Sequence, residues 1–476
     1  MRRLVICLAL LAMTAGLAAQ TALRNFGLED VARLKAVSDP QISPDGAWVA
    51  YSVRTPDLKE DKSASDIWMT SWDGRESVRL TTSKESESSP RWSPDGRYLA
   101  FLSSRDDDNE VSQVWLLPRS GGEAEKLTSE KGGVEDYDWA PDGKKMVLVV
   151  ADPDPDKDED ADSKKAKKTK KPIVVDRYQF KVDVEGYLGK RRKHLSLLDV
   201  AGKSVQVLTT GDADELLPSW SPDGKTIAFV SKRLAESDRT DNWDIWAIEP
   251  RPGAAPRQVT TDPRSDADPS WSSRPAWSPD AKSIAYVQGG PDKLIYYGLH
   301  RLAVVPAAGG DPRILTASTD LNVQYPHYTA DGASILFTLE EDQAVGLAKI
   351  ASAGGPVERL VAGRQVVQDF SVAGNGRVAI EMTTPSLPHE IYAVDKGGPR
   401  RLSKQNDAWL SEVRLGAVEE TKFRSKDGTE IHGFLVKPPD YQAGKHYPTI
   451  LRVHGGPVGQ FECGFEIEWQ WFASNG

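Results

Sequence analysis

Short alternating or wholly apolar runs, such as Arg97–Leu102 and Thr226–Val230, recur through the first four hundred residues, and each starts just after the same turn. This pattern predicts strands. The turn reads Ser43-Pro44-Asp45-Gly46, Ser93-Pro94-Asp95-Gly96, Ala140-Pro141-Asp142-Gly143, Ser221-Pro222-Asp223-Gly224, Ser278-Pro279-Asp280-Ala281, Thr329-Ala330-Asp331-Gly332 and Ala373-Gly374-Asn375-Gly376. Proline presets φ at the second turn position, Asp bonds nearby backbone, and Gly accepts the φ that closes the turn. An aromatic precedes most copies, at Trp92, Trp139, Trp220, Trp277 and Tyr328. A further strand follows at Asp66-Ile67-Trp68, Gln113-Val114-Trp115 and Asp244-Ile245-Trp246, and a Gly- or Pro-rich turn leads to another at Glu125–Thr128, Arg257–Thr260 and Arg313–Thr316.

The Asp or Asn of successive turns stands at 45, 95, 142, 223, 280, 331 and 375. That spacing fits one four-stranded blade per repeat and predicts a mainly β chain, a seven-bladed β-propeller across 20–415. The repeated serines belong to turns and the tryptophans pack between blades, so none is a candidate for catalysis. The one long interval contains 152–172, where seven acidic residues are followed by six lysines, with Lys157 alone inside the acidic block. Such a segment cannot bury enough apolar surface to offset its ordering entropy and is expected to be a disordered insertion. Its Asp152-x-Asp154-x-Asp156 opening suggests a calcium loop, but Lys157 stands where that loop needs Gly and Ser163 where it needs Glu. No histidine has metal-ligand spacing, and neither a metal nor another cofactor is expected.

Charge and cysteine usage narrow the partners. Lys and Arg number 60 against 70 Asp and Glu, a net charge of −10, which argues against nucleic acid or an anionic membrane surface as partner. Arg2 and Arg3 precede an apolar stretch from Leu4 to Met13, with small residues at Gly16, Ala18 and Ala19. Residues 1–19 therefore read as a cleaved secretory signal, which predicts a secreted or periplasmic protein. The stretch is too short to span a bilayer, and no other is apolar enough to serve as a membrane segment. Cys7 would leave with the signal, and Cys463 alone supports no disulfide framework.

From about Glu419 the repeat stops, and 416–476 reads as the first strands of an α/β-hydrolase domain. Phe423 to Lys437 predicts a β-hairpin closed by Asp427-Gly428. Tyr447–Val453 predicts a buried strand running into His454-Gly455-Gly456-Pro457, and Phe461–Ser474 a helix ended by Asn475-Gly476. An apolar strand entering His-Gly-Gly is the arrangement that lets a loop aim a backbone N–H at a developing oxyanion. His454, Gly455 and Gly456 are thus the candidate oxyanion-side residues. No Gly-x-Ser-x-Gly occurs in the 476 residues, so the sequence offers no nucleophile to go with them.

The seven turns followed by Asp427-Gly428-Thr429, Tyr447-Pro448 and His454-Gly455-Gly456-Pro457 resemble the prolyl oligopeptidase family of serine peptidases, most of all its acylaminoacyl-peptidase and dipeptidyl-peptidase-like branch. The stretch Val175–Phe180 through Gly186–Gly189, Arg191-Arg192 and His194-Leu195 also looks like that branch's mid-propeller segment. The resemblance implies a propeller that filters short peptides toward a Ser-Asp-His triad, all three members of which the family places after the His-Gly-Gly-Pro loop. The triad would then lie beyond Gly476, leaving these residues the inactive N-terminal portion of an exported peptidase. His454 matches the loop and not the late catalytic histidine. The other histidines, 194, 300, 327, 389, 432 and 446, read as surface or packing residues. Glu340-Glu341 could hold a peptide amino terminus, as paired glutamates do in some relatives, or form an exposed acidic turn. The alternative reading of the whole chain is a stand-alone TolB-like propeller acting as a binding or scaffold module.

Overall fold

The computed structural model describes residues 23–106, 111–154, 172–182, 186–234, 236–456 and 458–476. The expected signal, 1–19, and the core of the expected insertion, 155–171, lie outside them. Asp152, at the insertion's predicted start, is held in place: its backbone N–H donates to the Arg192 carbonyl at 2.7 Å, and its carboxylate accepts the Arg192 N–H at 2.8 Å.

Four strands near the N-terminus, Ala36–Ile42, Trp48–Asp57, Lys62–Ser71 and Ser77–Arg79, pair in sequence as an antiparallel meander. The same order repeats over 87–126, 134–207, 216–258, 276–314, 323–361 and 366–401. The sixth and seventh meanders are joined by one parallel pair, Val345 with Val366. Each expected turn joins the first and second strands of its meander.

The turn's mechanism is visible atom by atom. The Ser93 hydroxyl donates to Asp95 at 2.7 Å and accepts the Tyr98 N–H at 3.0 Å, while Asp95 accepts the Arg97 N–H at 3.0 Å. Those two donors hold the Asp95 carboxyl down to about 2. Gly96 has φ +68° and donates its N–H to the Ser93 carbonyl. Ser43, Ser221, Ser278 and Thr329 repeat the hydroxyl–carboxylate bond. Three copies depart from this mechanism, the seventh, Ala373-Gly374-Asn375-Gly376, lacking hydroxyl, proline and aspartate together. Ala140 has no hydroxyl, and Ala281 occupies the glycine position at φ +58°.

Successive meanders pack through the residue just before the turn. Trp92 enters a cluster with Ala50 and Ile67 of the first meander, Trp139 one with Ala100 and Leu102 of the second, and Trp220 one with Val147 and Leu195 of the third. The Trp92 and Trp277 indole N–H groups donate to the Gln41 and Ser219 carbonyls at 2.9 and 3.0 Å, tying each blade-like unit to its predecessor. At the seam, Ile42 takes the aromatic's place and packs with Ala379 and Ile391 of the seventh meander. The Ile42 N–H donates to Ser371 Oγ at 3.0 Å and Arg377 to the Gly46 carbonyl at 2.7 Å. First and last meanders thus close a ring without sharing a strand.

Two compact units emerge. One holds 35–404 with 453–465; the other holds 23–34, 405–452 and 466–476. The boundary drawn from the sequence at 415/416 therefore falls elsewhere: 405–415 and 23–34 group with the later residues. Arg24–Asn25 pairs parallel with Val413–Arg414, Phe26 meets Trp409 edge-on at 6.0 Å, and the buried Asp30 receives both Arg24 guanidinium nitrogens at 2.6 Å. In this second unit Ala417–Arg424 and Glu430–Lys437 form the expected hairpin, with Gly428 at φ +89°.

Two sequence expectations need correction. Tyr447–Val453 is not a strand: it carries no ladder, and Ile450 and Leu451 are 68% and 88% exposed. An extended apolar segment becomes a strand only where neighbours take up its N–H and C=O groups, and the described residues supply none. The helix spans Ile467–Ser474 and leaves 461–466 non-helical. Its Gln470 side chain clamps Gly416, accepting the N–H at 2.6 Å and donating to the carbonyl at 3.2 Å.

Three substitutions test these assignments. Ala140→Ser, which restores the missing hydroxyl, and Ala281→Gly, which removes the left-handed penalty, are each expected to raise unfolding free energy by about 1 kcal/mol in denaturant titrations. A loss of stability on either change would contradict the turn mechanism. Asp266 and Asp244 are fully buried, and burial pushes their carboxyls up to about 7 and about 6. The folded protein therefore keeps protons that the unfolded chain releases near pH 4, so this contribution to stability is lost as pH rises from about 4 to 7. Asp266→Asn is expected to melt higher than the parent at pH 8 and to converge with it near pH 4; parallel curves at both pH values would refute this.

Candidate oxyanion-side loop

The loop from 453 to 465 belongs to the unit containing the seven meanders. Three bonds pin it to the sixth and seventh meanders. Cys463 donates its N–H to the Gln343 carbonyl at 2.6 Å, Gln343 donates its own N–H to Gln460 Oε1 at 3.1 Å, and Phe465 donates to Thr383 Oγ1 at 3.0 Å. Gln343 sits with Asp342 in the hairpin turn of the sixth meander, both at positive φ, which turns the peptide groups outward to receive the loop. Cys463 is buried here. Sequence reasoning missed this docking because its partners are more than eighty residues away.

His454 and Gly455 are exposed. His454 Nδ1 lies 2.9 Å from the Gly455 carbonyl, which makes Nδ1 the protonated nitrogen, and its ring meets Phe461 at 5.7 Å and 89°. The imidazole is therefore committed to its own loop. The two glycines differ. Gly456 has φ +135°, and a Cβ there would lie 2.6 Å from the Val458 nitrogen and 2.7 Å from the Gly459 nitrogen. Gly455 has ordinary φ, and a Cβ there would meet nothing within 4 Å. Only Gly456 is required by the backbone, and it lets the amides of 458 and 459 crowd one side of the loop, as anion-binding backbone nests do.

The other polar candidates are spent locally. Glu340 accepts from Asn322 Nδ2 at 2.9 Å, and Glu341 is held by both Arg359 nitrogens at 2.6 Å. These two glutamates thus brace their own meander. His194 contacts Glu215 at 2.8 Å, His389 Glu381 at 2.8 Å and His432 Glu430 at 2.9 Å, while His300 stacks on Trp271. Among the described residues, no group of three or more His, Cys, Asp or Glu side chains is placed to hold a metal ion. No helix among them is long and apolar enough to cross a membrane.

The first strands carry a second polar set that the repeat pattern hid. Arg91 pairs with Asp39 of the preceding meander at 2.8 Å. Arg274, before the fifth meander, reaches past the fourth to bind Asp136 of the third at 2.7 and 2.8 Å, and also caps the Pro218 carbonyl of the fourth. A side chain that reaches from the start of the fifth meander past the fourth to the third lies close to the ring's axis. Nearby, protein enclosure together with the Asp39 and Glu381 carboxylates pushes the Asp369 carboxyl well above the usual range. The left-handed residues Asp39, Ser89, Leu217 and Tyr325 lie at strand irregularities here, a long-range consequence of ring packing that local sequence does not announce.

The asymmetry between the glycines is testable. Gly456→Ala is expected to speed amide exchange at Cys463 and Phe465 several-fold by straining the loop off its docking bonds, and Gly455→Ala to leave both unchanged. Equal effects of the two changes would contradict the backbone assignment.

No family model matches the chain. It is 27% identical over 461 residues to the peptidase YuxL of Bacillus subtilis, covering 94% of this chain and 69% of that one. It is 28% identical over 456 residues to dipeptidyl-peptidase 5 of Porphyromonas gingivalis, covering 92% and 64%. Its fold is similar to that of Pyrococcus horikoshii acylaminoacyl peptidase, with a TM-score of 0.73 at 19% identity over 95% of this chain and 65% of that one. The β-propeller domain of the trilobed protease from Pyrococcus furiosus matches 79% of this chain and 98% of its own, with a TM-score of 0.55 at 18% identity. The chain thus spans about two thirds of the length of these peptidases. Its curated relatives are peptidases, and its fold is similar to that of an acylaminoacyl peptidase.

Proposed function

We propose that these residues supply the substrate-handling part of an exported serine peptidase that hydrolyses short peptides. In this reading the seven meanders are the blades of one propeller that screens substrates by size, and 416–476 begins the α/β-hydrolase domain. The observation that carries the reading is the alignment of more than nine-tenths of the chain with peptidases that extend about half as far again. Two features support it: the Gly456 loop is built to crowd amides, and no Gly-x-Ser-x-Gly turn is present to serve as nucleophile. Export rests on the basic, apolar and small-residue succession of the first nineteen residues.

The roles divide accordingly. Backbone amides of the loop that Gly456 crowds together would receive the oxyanion of the tetrahedral intermediate, lowering the barrier to acyl transfer. His454, tied to its own loop, would orient that backbone and take no proton from the nucleophile. The axial Arg274–Asp136 bridge would narrow the passage through the ring, so that extended peptides are admitted and folded proteins excluded.

Fluorophosphonate labelling of the 476-residue chain, compared with the chain extended through the reading frame downstream, tests the reading. Stoichiometric labelling and peptide hydrolysis are expected only in the extended form; a labelled, active 476-residue chain would overturn it. In the active form, Arg274→Ala is expected to raise kcat/KM for long peptides several-fold relative to short ones. Unchanged size selectivity would remove the bridge from the filter.

A further inference from the structure

The third and fourth meanders enclose a cavity of about 350 Å3, walled by positions 176–178 and 192, 212–214, 232, 236–239 and 243. Two ion pairs form within the wall, Arg177 with Asp238 and Arg239 with Glu236. Arg177 forks onto Asp238 Oδ1 at 3.0 and 2.5 Å, and Asp238 Oδ2 takes the Gln179 N–H at 3.0 Å. Arg192 donates to the Asp212 carbonyl at 2.8 Å. Asp214 accepts the Lys193 N–H at 2.9 Å, and burial pushes its carboxyl up.

Lys232 differs. Its side chain is only 11% exposed, and Nζ donates to the Thr240 carbonyl at 2.9 Å and to Gln179 Oε1 at 3.4 Å. An ammonium has three donors, and among the described residues no third acceptor lies within hydrogen-bond distance. The nearest carboxylate, Asp241, stands 3.9 Å away and is itself 85% exposed. The Trp243 ring, 5.1 Å from Nζ, offers part of the missing stabilisation from one side. Burial without a close counter-ion disfavours the charged form and lowers the Lys232 pKa. A buried cation whose nearest carboxylate is exposed and 3.9 Å away, beside an open cavity, can accept an anion small enough to enter it.

We propose that this cavity binds a small carboxylate, seated on the Lys232 ammonium. The carboxylate could end a short peptide or belong to a free organic acid, and the site stands apart from the 453–465 loop, so the proposal does not depend on the peptidase reading. Charge-assisted hydrogen bonds of this kind discriminate strongly between a carboxylate and its neutral amide.

Titration calorimetry with the full chain tests it, using N-acetyl-diglycine, its amide and acetate as probes. The free acid is expected to bind about tenfold or more tightly than the amide, and Lys232→Met to abolish that preference with the circular dichroism unchanged. Lys232→Arg, which keeps the cation, is expected to retain carboxylate binding and guards against misreading a folding defect. Acetate binding as well as the peptide acid would assign the site to organic acids; weaker acetate binding would assign it to a peptide terminus. Equal binding of acid and amide, no carboxylate binding up to about 10 mM, or full binding by Lys232→Met would overturn the proposal.

Discussion

Everything in the larger unit depends on one contact repeated around the ring: the side chain just before each turn inserts into the face of the preceding meander. A four-stranded meander alone cannot bury both faces, and stacking neighbours provides the missing cover. Trp92, Trp139, Trp220, Trp277 and Tyr328 make this contact with large area, and three of the indoles add a hydrogen bond to the previous first strand. At the seam the residue is Ile42, with less area and no polar tip. The closure is therefore assisted by Ser371, Arg377 and Thr70, whose side chains bond backbone across it.

The turn makes that contact possible, because it fixes where the preceding side chain points. The Ser hydroxyl, the Asp carboxylate and the glycine together satisfy the backbone of the first two strands at their junction, leaving the aromatic at the end of the first strand in one orientation. Ser425-Lys426-Asp427-Gly428 uses the same device in the other unit, where it closes an isolated hairpin. The device is local chemistry and does not itself specify a ring.

That distinction explains what the sequence revealed. The turns, the packing tryptophans and the Asp-Gly hairpin were legible because each is written within a few residues. The grouping of 23–34 with 405–452 was not, since it rests on strand pairing between Arg24 and Val413 and on Asp30 burying its charge against Arg24. Tyr447–Val453 misled because its apolar composition encodes a wish for partners and says nothing of whether they are present. In the candidate site, His454 and the glycines were found from their motif, yet the motif could not separate Gly456, required by its backbone, from Gly455, which is not. The axial bridge of Arg274 and the buried ammonium of Lys232 carry no sequence signature, because each is defined by what surrounds it in space.

The proposed function assigns the ring and its docked loop to handling peptide substrates for a serine nucleophile. Peptide mapping of the serine that reacts with a fluorophosphonate in the protein isolated from its own cells tests this most directly. The account predicts a single adduct on a serine C-terminal to residue 476, within a Gly-x-Ser-x-Gly sequence. An adduct on any serine between residues 23 and 476 would contradict it.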